Sequence, residues 1–176
     1  SEVTLVIASS AVLSGVMSGS YGFVKDGGAE LTLSGANTFT GSTEVSSGTL
    51  TLSGGAALVD SMAVTVGLNG KLRLASSEEI ATLLGAGAVE LQSSALTVSG
   101  VSDSNFSGVI SGAAGSIVKT GSGALTLSGV NTFAAGVTLN AGSILIGNDA
   151  ALGNGTLALI GGRLASDGAT ARTLSN

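Results

Sequence analysis

Residues 25–39 read KDGGAELTLSGANTF, and residues 119–133 read KTGSGALTLSGVNTF. The two copies stand 94 positions apart and hold register without a gap from Val24/Val118 to Leu52/Ile146. A match this long does not arise by chance, so one local structure must be usable twice within 176 residues. Outside that block, SGVMSG at 14–19 returns as SGVISG at 107–112, and Ala57-Leu58 falls on Ala151-Leu152. The first of these is displaced by 93 rather than 94, a one-residue indel in a turn. The repeats thus span about 14–52 and 106–146.

Within each copy the pattern has period two. ELTL at 30–33, TLTL at 49–52, AVTV at 63–66, KLRL at 71–74, ALTL at 124–127 and SILI at 143–146 all place apolar residues alternately with Thr, Ser or a charge. Such segments are short strands with one face toward a core. Between them lie turn clusters such as Ser53-Gly54-Gly55 and Gly147-Asn148-Asp149, where Gly and Asn accept positive φ. The supply of 29 Gly with no Pro suits a chain of strands and turns. One segment is ambiguous. Ser76 to Gly85 has capping-box spacing between Ser76 and Glu79 and a closing Gly85, which fits a short helix or a polar loop leading into a strand.

Hairpins joined by tight turns would give a sandwich or barrel, but repetition favours a solenoid, in which each coil covers the apolar edge of its neighbour. With strands in place of helices, the expected fold is an all-β, single-stranded parallel β-helix, continuous over 1–176. At roughly 20 residues per coil, about eight coils would stack to a height on the order of 40 Å. Leu31, Leu33, Leu50 and Leu52, with Leu125, Leu127, Ile144 and Ile146, are the expected interior rows. Phe39 and Phe133 each follow an Asn-Thr pair just after a strand. That recurrence predicts a corner with the ring inside and Asn37 or Asn131 bonding neighbouring turn backbone, rather than an exposed binding platform. Lys25 and Lys119 recur at equivalent places and are expected as solvated lysines marking a coil edge.

Several functions are excluded or disfavoured by what the chain contains. Its longest apolar runs fall short of the roughly 18 residues of a spanning helix, and one Tyr with four Phe cannot supply the aromatic girdles of a membrane barrel. A net charge of −5 with scattered Lys and Arg offers no stripe for nucleic acid. With no His and no Cys, a Ser-His-Asp triad, a Cys nucleophile and a His-ligated zinc site are impossible. Paired carboxylates could still cleave sugars, but the eleven acids are dispersed and adjacent Glu78 and Glu79 should point apart. Asp26, Asp103, Asp149 and Asp167 lie near Gly-rich turns without a calcium-loop pattern. Gly85-Ala86-Gly87 and Gly121-Ser122-Gly123 lack the remainder of a dinucleotide or phosphate loop. No catalytic, cofactor or metal residue is therefore assigned. The sequons at Asn105 and Asn154 read as turn sequence.

The order F-S-G-V-I-S-G, a Gly-bounded strand, K-T-G-S-G-A-L-T-L-S-G-V-N-T-F, then a strand and a Gly resembles the autotransporter-associated β-strand repeat of type V secreted passenger domains in Gram-negative bacteria. Residues 106–146 fit the whole pattern, and 14–52 fit it without the leading Phe. Thr40-Gly41-Ser42-Thr43 keeps the turn that usually follows, whereas Ala134-Ala135-Gly136-Val137 departs from it, so the second copy is expected to turn differently. The resemblance implies a right-handed helix and export through periplasm and outer membrane to the cell surface or medium. It also implies a C-terminal outer-membrane barrel of the same polypeptide as partner. With no signal peptide at Ser1 and no barrel strands, the chain reads as a piece of something longer. The expected role is a noncatalytic stalk that promotes export, within an adhesin or virulence factor that meets a host receptor or glycan. The alternative is a carbohydrate-binding or carbohydrate-cleaving β-helix.

Overall fold

The computed structural model describes residues 2–168, 170–174 and 176. Among these residues the elements are strands only, and the strands pair in parallel as a β-solenoid of about 8 turns. One coil shows the plan. Gly22–Asp26 runs along a first face and Glu30–Leu33 along a second. The chain then passes Asn37 and Phe39 on the third side and returns so that Thr43 pairs beside Phe23. Further partners in this column are Val64 and Leu83, so the path closes in steps of 20, 21 and 19 residues.

Three stacks result. The first joins Glu2–Val6, Gly22–Asp26, the front halves of Thr43–Leu52 and Ala63–Leu74, then Thr82–Gly85, Ser104–Phe106, Ala124–Leu127, Ser143–Ile146 and Arg163–Ser166. The second joins Ala11–Leu13, Glu30–Leu33, the back halves of the same two long strands, Ala88–Glu90 and Val109–Ser111. The third joins Glu78–Ile80, Ala95–Val98, Ser116–Lys119, Gly136–Leu139 and Leu157–Leu159.

Alternation dictates which side chains turn inward. Leu31, Leu50, Leu72 and Val89 pair in sequence across four coils and are each fully buried, as are Leu33, Leu52 and Leu74 beside them. Leu125 with Ile144 and Leu127 with Ile146 form equivalent rows on the first face. Because inner residues repeat coil after coil, the core is a continuous apolar column, and each Leu or Ile withdrawn from water contributes about 1.5–3 kcal/mol.

The two repeat copies do not stand over one another. The strand Glu30–Leu33 belongs to the second stack, but its counterpart Ala124–Leu127 belongs to the first. Likewise Gly22–Asp26 is in the first stack, and its counterpart Ser116–Lys119 is in the third. A displacement of 94 residues is about four and two-thirds coils of 20 residues, so the second copy is rotated by one face of three. The ambiguous segment at 76–85 resolves as two strands, Glu78–Ile80 and Thr82–Gly85, with only Ala81 between them. Pairing with coils on either side outweighs the local helix signal there.

Candidate functional site

What the two copies share is a corner, built from Lys25, Asn37 and Phe39 in the first and Lys119, Asn131 and Phe133 in the second. Lys25 starts in an inner row, paired between Leu5 and Val45. Its ammonium turns back to donate to the carbonyls of Asp26 (3.2 Å), Gly27 (2.6 Å) and, one coil on, Ser47 (2.8 Å). Lys119 pairs between Val98 and Leu139 and donates to the Gly121 carbonyl. Both residues are buried, at 0% and 1% exposure, which corrects the expectation of solvated edge lysines. The reason is stoichiometric. An ammonium has three donors, and a tight turn between two faces makes several backbone carbonyls converge on one point, of which that of Asp26 also accepts from Ile7 N. Burial draws both lysine pKa values below the ordinary one, opposed by the charges of Asp26 and Asp103 respectively. Asp26 is itself held below the usual carboxylate range, chiefly by the Ser47 hydroxyl, which donates to it at 2.7 Å.

A glycine completes each corner. Gly48 and Gly142 are 94 positions apart and adopt φ of 68° and 72°. A β-carbon at Gly48 would stand 2.7 Å from the Lys25 ammonium and collide with the Gly27 carbonyl oxygen. At Gly142 it would stand 3.0 Å from the Lys119 ammonium and collide with the Gly121 oxygen. Gly142 entered the sequence pattern as the Gly that closes the repeat, whereas Gly48 was not singled out, although its equal offset from Lys25 was readable there.

The asparagines join coils. Asn37 accepts from Met17 N (2.8 Å) through Oδ1 and donates from Nδ2 to Ala57 O (2.8 Å). Asn131 accepts from Ile110 N (2.8 Å) and donates to Ala151 O (2.6 Å). The expected bond to neighbouring turn backbone is thus replaced by bonds to the preceding and following coils, because parallel stacking brings residues some 20 positions away within about 5 Å. Phe39 and Phe133 are 3% and 0% exposed. Phe39 meets Phe23 edge-on, with ring centroids 5.3 Å apart. The turns that follow diverge: Gly136 has φ of 98°, while Ser42 at the matching place is not in the left-handed region.

Other polar groups are also bound up in stacking. On the outside of the second face, Arg73 bridges Glu30 and Glu90, and Lys71 also pairs with Glu90. Glu90 is held below its ordinary pKa, first by the Lys71 hydrogen bond and then by Arg73. Glu78, 4% exposed, accepts from Leu58 N at 2.7 Å through Oε1, while its Oε2 makes no hydrogen bond of good geometry among the described residues. Its neighbour Glu79 points outward and makes no hydrogen bond or ion pair with a described residue. Among the described residues no group of three or more His, Cys, Asp or Glu could hold a metal ion, and no helix is long and apolar enough to cross a membrane.

A family model described as the passenger-associated-transport-repeat matches residues 23–56 and 117–146. No curated protein and no solved structure matches the chain. The two matched segments contain both lysine corners, both asparagine bridges and both buried phenylalanines. The chain therefore carries two passenger-associated-transport-repeats, as an autotransporter passenger does, within a parallel β-solenoid.

Proposed function

We propose that this chain is a noncatalytic scaffold of an autotransporter passenger, exported to the cell surface or medium, which acts as a stalk and helps draw the polypeptide outward as it folds. The observation that carries this reading is the rotation of the second repeat by one face relative to the first. Two copies of a binding surface would be expected to look the same way. These look different ways, and what they have in common is directed inward: the lysine to turn carbonyls, the asparagine to adjacent coils, the phenylalanine to the core. The repeat thus encodes how one coil sits on the next. A chain emerging end first could fold coil by coil on such rules, each closed coil opposing backward sliding.

In this reading the partner in export is the outer-membrane barrel of the same polypeptide, and contact with a host receptor or glycan, as in an adhesin or virulence factor, belongs to the whole protein. The test is to place Leu127→Asp in the full-length protein and measure surface passenger against total synthesis, with barrel insertion followed separately. A fall in surface passenger supports the reading. Undiminished export of a variant shown to be unfolded in this segment removes the export role.

A further inference from the structure

The corner between the first and second faces carries little side-chain bulk. Gly87, Gly108 and Gly129 turn there in successive coils. A β-carbon on each would strike the carbonyl oxygen of a glycine in the preceding coil, Gly67, Gly87 and Gly108 respectively, so only a residue without one fits. The surface that results is a groove of about 380 Å³, floored by Ala86, Gly87, Ser107 and Gly108 and walled by Leu68 and Val109. Both walls are exposed apolar side chains.

Beside the groove a ridge runs along the solenoid axis. Lys71, Ala88 and Val109 pair in sequence. The bond from Thr132 N to Ile110 O sets Val130 over Val109, and the bond from Asn131 N to Ala150 O sets Ala150 over Val130, next to the exposed Asp149. The column therefore reads Lys71, Ala88, Val109, Val130, Ala150 at steps of about 4.8 Å, with a base at one end, an acid at the other and apolar side chains between. Val109 and Val130 are 47% and 57% exposed. Charge is scarce around them. Between Glu90 and Asp149 the sequence has only Asp103 and Lys119; Lys119 is buried, and Asp103 lies at the far edge of the first face, accepting from Ala124 N.

We propose that this strip is a self-association surface, on which a second copy of the chain lies antiparallel about a two-fold axis through Val109. The order of the column argues for a second copy over any other occupant. A half-turn about Val109 reverses the column onto itself, so that Lys71 faces Asp149 of the second copy, Ala88 faces its Val130, and Val109 faces its own counterpart. Each protruding Val130 is thereby brought to the groove beside Ala88, in both directions at once, as an isologous contact requires. Lys71 gives one of its three donors to Glu90 and keeps the others for the facing acid. The column spans only about 20 Å, short of the ~800 Å² per partner of a standard interface, so the association is weak and reversible. The inference stands apart from the scaffold reading, because it uses the outer side of the solenoid and its test measures no export.

The chain has no Cys, so single-cysteine variants of the purified protein test the arrangement directly. Under oxidation by copper phenanthroline, Val109→Cys should form a disulfide-linked dimer faster than Val101→Cys, although Val101 is 80% exposed, because only position 109 lies on the axis. Mixed Ala88→Cys and Val130→Cys chains should link to each other in preference to themselves. Sedimentation of the parent should show a monomer–dimer equilibrium. Ala86→Glu, which puts a charge in each groove, and Asp149→Lys, which sets two bases face to face, should each weaken it at least about tenfold without lowering the thermal midpoint of the dilute protein. The proposal is overturned by a parent that stays monomeric at about 1 mM, or by linkage at Val101→Cys as fast as at Val109→Cys. A dimer indifferent to Ala86→Glu also overturns it, since the copies then meet elsewhere, as on their terminal coils.

Discussion

Gly48 and Lys25 share one corner so closely that the glycine hydrogen lies where any side chain would press on the lysine ammonium, the gap being 2.7 Å for a built β-carbon. Gly48→Ala therefore combines a left-handed φ of 68° with a backbone collision. It should destabilise by about 1–3 kcal/mol or more. Gly28, one turn away, has open space and no positive φ, so Gly28→Ala should be neutral or stabilising by up to about 1 kcal/mol. Urea denaturation of both variants checks this, and equal effects would discredit the corner geometry.

Phe39 and Phe133 offer a second comparison. Both are buried, so truncation to alanine should cost about 3–5 kcal/mol at either site. Phe39→Ala also forfeits the edge-on contact with Phe23, which adds about 0.5–1.5 kcal/mol. A chemical-denaturation shift under about 1 kcal/mol for either variant would contradict its buried placement.

The rows of Leu31, Leu50, Leu125 and Ile144 were legible because period-two alternation repeated twice leaves few folds able to use it. The burial of Lys25 and Lys119 was not, since charge alone argues for water and the converging turn carbonyls appear only once two faces meet. Nor was the one-face rotation. It depends on the length of every intervening turn, including the single-residue turn at Ala81, and the helix-like signal at 76–85 masked that one. Asn37 and Asn131 were recognised as bonding backbone, but which backbone depended on the coil length.

Glu78 makes stability depend on pH. Burial raises its pKa, opposed by the backbone amides of Leu58 and Ala57, while the Asp60 charge adds to the rise. A folded-state pKa above the unfolded value of 4.5 means that the folded chain binds the proton more tightly. Its favourable contribution is complete below 4.5 and is lost as pH rises through the folded value. Glu78→Gln should thus be more stable than the parent at about pH 7, with the advantage shrinking as pH falls toward the unfolded value. Thermal midpoints of the two proteins across that window test the sign. A pH-independent difference would show that Glu78 keeps its charge state throughout.

Stability should also be local. Leu127 pairs with Phe106 in one adjacent coil and Ile146 in the other, whereas Leu31 and Leu33 lie several coils away with no partner in common. Leu127→Ala should cost about 2–5 kcal/mol, and in a solenoid that loss falls on the coils that share the interface. Native-state hydrogen exchange should therefore show reduced protection across Ser104–Phe106, Ala124–Leu127 and Ser143–Ile146, with Glu30–Leu33 and Thr43–Leu52 close to the parent. Lys25→Met should produce the mirror pattern, since it leaves the carbonyls of Gly27 and Ser47 without their donor. If either substitution lowered protection evenly from Gly22 to Ser166, the chain would be unfolding as one cooperative block, and coil-by-coil folding could not be the means by which it moves outward.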